Sequence, residues 1–222
     1  MLSRTASAIV AGLATLALAG CGSAEPPKPP PPPPPQPPEI SVPAFSEDGG
    51  ASCSKVSGLS NCVPWSQPEP ENLPWEQIVA VRDQQVSGFA VGPAYLCGLV
   101  PDTLLRTLAG PHAVRVLDGT TCVLSSTDGP GWVTSAQGQV QGRVEFGDQA
   151  VTTPSTSIGG RPAAVDPPVD SADRTHRSGV ITASDGTPLR VTLDITQVTA
   201  DPARADDHWK KLAEQVAAAT NR

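Results

Sequence analysis

The sequence predicts an α+β domain: a single antiparallel β-sheet packed by a short helix and a C-terminal amphipathic helix, with one internal disulfide. Three observations carry this expectation. Leu189, Val191, Leu193 and Ile195 alternate with polar neighbours, the period-two pattern of a half-buried strand. Ala205, Trp209, Leu212, Ala213 and Val216 recur at helical spacing near the end of the chain, an apolar stripe fit to lie on a sheet. Between them and the N-terminal region, strand-like runs follow one another with turn residues between, the order of an α+β domain rather than of repeated βαβ units.

The first twenty residues read as an address. Met1-Leu2-Ser3-Arg4 places one positive charge ahead of an apolar run from Ala6 to Ala19. That run suits a secretory signal and is short of the roughly 20 residues a membrane-spanning helix needs. It ends in Leu18-Ala19-Gly20-Cys21, which looks like the lipobox of bacterial lipoproteins. Cleavage before Cys21 and acylation of its thiol are therefore expected. Residues 1–20 are the signal peptide, 21–74 a lipid-anchored, Pro-rich linker with an irregular extension, and 75–222 the α+β domain. The expected location is the extracytoplasmic face of the cell membrane.

From Pro26 to Pro38 the chain is proline broken only by Lys28 and Gln36. Such a run cannot form backbone ladders and adopts polyproline II, which at about 3.1 Å per residue makes a spacer some 40 Å long. The stretch from Glu39 to Pro74 stays irregular, yet holds Cys53, Cys62, Trp65 and, directly after it, Trp75. It reads as an extension that docks on the domain.

Within the domain, Glu76–Val81 and Gln84–Val91 have strand-like content and end at Gly92-Pro93. After Cys97, Pro101 suits a first helical position, Asp102 the positive end of the dipole, and Leu104, Leu105 and Leu108 one apolar face, with Gly110-Pro111 as the stop. Val114–Leu124 reads as a hairpin turning on Asp118-Gly119. Further strands are expected over Trp132–Ala136 and Val140–Phe146. A Pro- and Asp-rich loop over Pro162–Thr175 precedes a last hairpin, Gly179–Ala183 and Leu189–Thr196, which turns on Ser184-Asp185-Gly186. Asp201 caps the final helix and Pro202 takes its first position.

Cys21 aside, Cys53, Cys62, Cys97 and Cys122 remain, and four cysteines in an exported chain permit three pairings. The economical choice is Cys53–Cys62 and Cys97–Cys122, because the hairpin carries Cys122 back towards the helix that Cys97 precedes. Zinc is the competing reading, but it needs close pairs such as C-x2-C, and these spacings offer none.

Composition excludes some functions. The formal net charge is −7 and becomes −8 once Arg4 leaves with the signal, and the chain holds only three His, one Tyr, three Phe and four Trp. No basic or aromatic cluster of the kind a nucleic-acid surface requires is present. His112, His176 and His208 fall outside any H-E-x-x-H, and no Gly-x-Ser-x-Gly elbow occurs. Asp166, Asp170 and Asp173 with His176 form a set of hard ligands, but not at the spacing of a calcium loop. Gly159-Gly160-Arg161 reads as a tight turn before it reads as an anion cradle. No catalytic residue, metal or cofactor is assigned.

From Cys97 onwards the chain resembles the actinobacterial lipoproteins that carry the domain of unknown function 3558. The resemblance lies in the lipobox, Cys97-Gly98-Leu99 through Gly110, Cys122, Ile158-Gly159-Gly160-Arg161-Pro162-Ala163, and the helix after Pro202. It covers roughly residues 90–222 and rests on order and spacing. The family pattern has a second Cys pair joining the last hairpin to the final helix, where this chain has Arg177-Ser178 and Asp207-His208. That makes it a divergent member, or one of the neighbouring mycobacterial-type lipoproteins and sensor domains. The resemblance implies location and fold, not an activity. Two functions stay open: a non-enzymatic module binding an envelope protein or a small ligand at the membrane surface, and an envelope hydrolase or accessory factor with an unrecognised site.

Overall fold

The structure, a computed structural model, describes residues 74–86, 89–126, 133, 139–196 and 200–221, together with the backbone of 62–64. Cys21, Cys53, the proline run and Trp65 lie outside them, and Cys62 is described in its backbone alone.

The chain runs as β1 (Cys62–Pro64), α1 (Trp75–Ala80), β2 (Gln85–Val86), β3 (Phe89–Ala90), α2 (Val91–Cys97) and α3 (Asp102–Ala109). There follow β4 (Ala113–Asp118), β5 (Thr121–Ser126), β6 (Gln139–Phe146), β7 (Thr156–Ile158), β8 (Arg161–Val165) and β9 (Val169–Asp170). β10 (Arg174–Thr182), β11 (Pro188–Thr196) and α4 (Pro202–Ala219) complete it. One antiparallel sheet has the order β1-β4-β5-β6-β11-β10-β8-β7, with β9 also pairing β10, while β2 and β3 form a separate small hairpin. The fold is α+β, as the patterning predicts.

Register shows which face each residue takes, because directly paired residues share a face. Leu117, Cys122, Val144, Val191 and Gly179 form one row across five strands. Arg115, Leu124, Gly142, Leu193 and Arg177 form the next row on the same face. All four helices pack on that face. Cys97 at the end of α2 is disulfide-bonded to Cys122, with Cα atoms 5.3 Å apart. Arg115 reaches α3, donating from Nη2 to the Val100 carbonyl at 2.6 Å and pairing through Nη1 with Asp102. Trp75 of α1 packs on Phe146, ring centroids 6.3 Å apart.

α4 lies over β10 and β11 along the predicted stripe: Ala205, Trp209, Leu212, Ala213 and Val216 are all buried. Its Trp209 donates from Nε1 to the Val191 carbonyl at 3.0 Å. Gly179 makes this approach possible, since a Cβ there would sit 2.9 Å from the Trp209 ring. Asp201 caps the helix, accepting from the Ala203 amide at 3.0 Å.

Several expectations need correction. Glu76–Val81 is not a strand: α1 covers Trp75–Ala80, because Trp75 and Ile78, one helical turn apart, both bury. Gln84–Val91 gives only the β2–β3 hairpin, and Gly92-Pro93 does not stop it but enters the first turn of α2, where proline is tolerated. The expected loop over Pro162–Thr175 contains most of β8, then β9 and the start of β10, so the last hairpin begins five residues before Gly179, at Arg174. Of the expected strand Trp132–Ala136, Val133 alone is described, a buried residue in a bend.

Trp75, the first residue of α1, has a structural role. It is 2% exposed and donates from Nε1 to Asp185 Oδ1 at 2.9 Å, tying α1 to the β10–β11 turn. Asp185 in turn accepts from the Thr187 amide and hydroxyl, which fixes that turn.

Candidate functional site

The sheet face opposite the helices has a different composition. Its rows are Thr121, Glu145, Arg190, Val180 and Ala164; then Val123, Arg143, Thr192 and Ser178; then Ser125, Gln141, Asp194 and His176. Over β4 and β5 this face is apolar or small and buried, with Val116, Val123 and Ser125 at most 1% exposed. Over β6, β11 and β10 it becomes an array of charged and polar side chains, largely half-buried. No described helix covers it.

Most of the array is internally paired, the buried Nε of Arg143 being without a partner among the described residues. Arg174 donates from Nε and Nη2 to Asp194 Oδ1, and His176 Nδ1 lies 2.8 Å from the same oxygen. Burial opposes ionisation of Asp194, but the Arg174 and His176 hydrogen bonds and charges outweigh it and hold the carboxyl below its ordinary range. One strand over, Ser178 Oγ and Arg190 Nη1 both donate to Asp166 Oδ2, the latter at 2.9 Å. The Ser178 hydrogen bond is the main reason the Asp166 pKa is also lowered. Thr121 donates to Glu145 at 2.8 Å.

Beside this array the β6–β7 loop, Gly147 to Thr153, lines a half-open cavity of about 420 Å³ together with residues of β8, β10 and β11. Asp166 and Arg190 line it, with Val180, Ala164 and the loop residues Asp148, Val151 and Thr152. That volume lies within the range of small-molecule sites. A second cavity of about 350 Å³ lies around Arg82 and Phe146, where the Arg82 guanidinium stacks 4.9 Å from the ring.

The residues singled out in the sequence fare unevenly. Cys97 and Cys122 are brought together, while the Cys53–Cys62 pairing and the lipid at Cys21 fall outside the described residues. Asp166, Asp170, Asp173 and His176 do not converge on a cation site: Asp166 turns to Ser178 and Arg190, Asp170 to Arg177, Asp173 to Ser171, and His176 to Asp194. Among the described residues no group of three or more His, Cys, Asp or Glu is placed to hold a metal. Gly159 and Gly160 form the β7–β8 turn, with φ of 57° and 78°.

The array itself escaped sequence reading. Its signal was the outward half of the same alternation: Arg190, Thr192 and Asp194 between the buried Leu189, Val191, Leu193 and Ile195. Outward polar residues on a strand are the ordinary solvent face, so only the register reveals that those of three strands meet.

No protein-family model matches the chain, and no curated protein or solved structure matches it. No helix among the described residues is long and apolar enough to cross a membrane.

Proposed function

We propose that this chain is an envelope lipoprotein, lipid-anchored through Cys21, whose α+β domain is a non-enzymatic binding module that presents its polar sheet face to a ligand or partner. The resemblance to the actinobacterial lipoproteins of the domain of unknown function 3558 belongs to the same reading. The observation that carries it is the face itself: a contiguous polar array on β6, β11 and β10, ion-paired along β10 and β11, with no described helix over it. A sheet that buries one face on four helices has no need of so ordered an arrangement on the other. Mutual ion pairs fix the side chains in advance, so a ligand meets preset donors and acceptors and the ordering cost of binding falls.

The chemistry of the array supports binding over catalysis. A nucleophile needs a base within hydrogen-bond reach. Ser178 does donate to the Asp166 carboxylate, but Arg190 also holds that group and its pKa is lowered, which makes it a weak base, and Cys97 and Cys122 are joined to each other. The second reading, an envelope hydrolase, draws on one observation: Asp194 and His176 form an orienter–base pair on the same face as Ser178. Loss of a hydrolytic activity in a His176→Gln variant that keeps its fold would favour that reading.

The test is photo-crosslinking on intact cells from two positions, Gln141 on the polar face and Lys210 on the outward side of α4. Crosslinked products from Gln141 and not from Lys210 are expected, and a Cys21→Ala form should lose those that depend on the anchor. Silence from both positions, or equal yields, would overturn the binding-module reading.

A further inference from the structure

The cavity lined by the β6–β7 loop narrows the chemistry of the ligand that a binding module would take. Resting on that reading, we propose that the cavity holds a polyhydroxylated ligand, a saccharide unit whose neighbouring hydroxyl groups are bound by Asp166 and Arg190.

The two side chains form a pair with capacity left over. Both internal hydrogen bonds to Asp166 fall on Oδ2, so Oδ1 has no partner among the described residues. Arg190 donates through Nη1, which leaves Nε and Nη2 without partners among the described residues. Both side chains are about two-fifths exposed, so these groups remain open to a ligand. A lone carboxylate selects a cation and a lone guanidinium an anion. Held 2.9 Å apart, the two are nearly neutral together and offer an acceptor beside a donor. Each hydroxyl of a vicinal pair can both donate and accept, so one can give to Asp166 while the other accepts from Arg190. The Ser178 bond holds the Asp166 pKa below its ordinary value, so the group stays an acceptor at neutral pH.

The remaining walls fit the same class. Ala164, Val180 and Val151 are small apolar surfaces of the size of the C–H edges of a sugar ring, and Thr152 adds a hydroxyl. A nucleotide or phosphorylated ligand would need more than the one arginine that lines the cavity, and Asp148 at its wall repels anions. An acyl chain would need a continuous apolar tunnel, which this mixed lining does not make.

The test uses the full chain with Cys21→Ser, isotope-labelled for amide chemical-shift mapping. The probes are methyl hexopyranosides, their 2-deoxy and 3-deoxy counterparts, acetate and acetamide. At least one methyl glycoside should shift the amides of Ala164, Val180 and Arg190. Its deoxy counterpart should bind about tenfold more weakly, the loss expected for one hydrogen bond to a charged group. Arg190→Gln and Asp166→Asn should each weaken binding about tenfold. Thr152→Val, at the wall and outside the ion pair, should weaken binding less while leaving the rest of the spectrum in place. A soluble polysaccharide of the same sugar separates the sources: tighter binding than the glycoside assigns an envelope glycan, equal binding a free sugar. The proposal is overturned if no glycoside shifts these amides, if acetate or acetamide binds as well, or if the deoxy sugars bind equally. Should the glycosides fail while Gln141 still crosslinks on cells, the saccharide assignment falls and the binding module stands.

Discussion

Arg177 carries its charge into the joint between β10 and α4 with only 6% of its side chain exposed. It pairs bidentately with Asp170, at 2.9 and 3.1 Å, and through Nε with Asp206 of α4. Burial alone would lower its pKa, but the two carboxylates outweigh that and raise it. An ion pair thus joins the last hairpin to the final helix. Arg177→Ala should destabilise the domain by about 1–3 kcal/mol, the range for hydrogen bonds to charged groups, because Asp170 and Asp206 can turn to water once freed. Urea denaturation checks this, with a lowered midpoint and an unchanged slope expected. His208 gives a pH prediction. Burial, with the nearby cations Lys211 and Arg204, holds its pKa below the ordinary value against the opposing charge of Asp207. Folding therefore favours the neutral ring, and the unfolded chain binds more protons below about pH 6.5. The stability contributed by this group is present above that pH and is lost as the pH falls towards the depressed folded value. Denaturation midpoints between pH 8 and 5 should fall in the lower part of that range, and His208→Gln should flatten the slope. Loss through Asp166 and Asp194 lies further down, below their ordinary carboxylate range of about 3.9.

Two connections determine how the elements hold together. The Cys97–Cys122 bond spans a sequence separation of 25 and staples α2 to the sheet. Replacing both cysteines by alanine should cost about 2–4 kcal/mol, chiefly through the freed unfolded chain, and denaturation under otherwise identical conditions measures it. The β7–β8 turn separates backbone strain from crowding. Gly159 and Gly160 both have positive φ, but a Cβ on Gly159 would also lie 2.9 Å from Ala217 Cβ of α4, while one on Gly160 meets nothing. Gly159→Ala should therefore lower the melting temperature clearly more than Gly160→Ala. These elements were legible to different degrees. The β4–β5 and β10–β11 hairpins and α4 stood out because turn residues and an uninterrupted period coincided there. α1 did not, since six residues with only Trp75 and Ile78 buried carry too few turns to display a helical period. β8 and β9 hid behind Pro162, Pro167 and Pro168, which suggest a loop; Pro162 nevertheless pairs with Ser157 within a short strand near the sheet edge, where the missing N–H is tolerated.

At the scale of the whole molecule, the fold class could be read from the sequence and the site could not. Each face of the sheet was implicit in the alternation, but the meeting of Asp166, Ser178 and Arg190 depends on the pairing of β8, β10 and β11, a long-range fact that no local pattern contains. The proposed anchor is the opposite case, its signal concentrated in the residues around Cys21 and distant in sequence from the core. Its removal should therefore change location without changing the fold. The N-terminal side of the domain is held by β1 on β4 and by Trp75 on Asp185 and Phe146, all far along the chain from Cys21. On the proposed anchoring, acyl chains on Cys21 would supply the membrane affinity, at about 0.8 kcal/mol for each buried methylene, and two chains would be needed for a stable hold. Cys21→Ala should release the protein from the membrane fraction and abolish incorporation of labelled palmitate, while the released chain keeps the wild-type urea midpoint. A variant that stays on the membrane without label would show that the hold comes from elsewhere in the chain. A released chain with a lowered midpoint would show that the anchor segment also supports the fold.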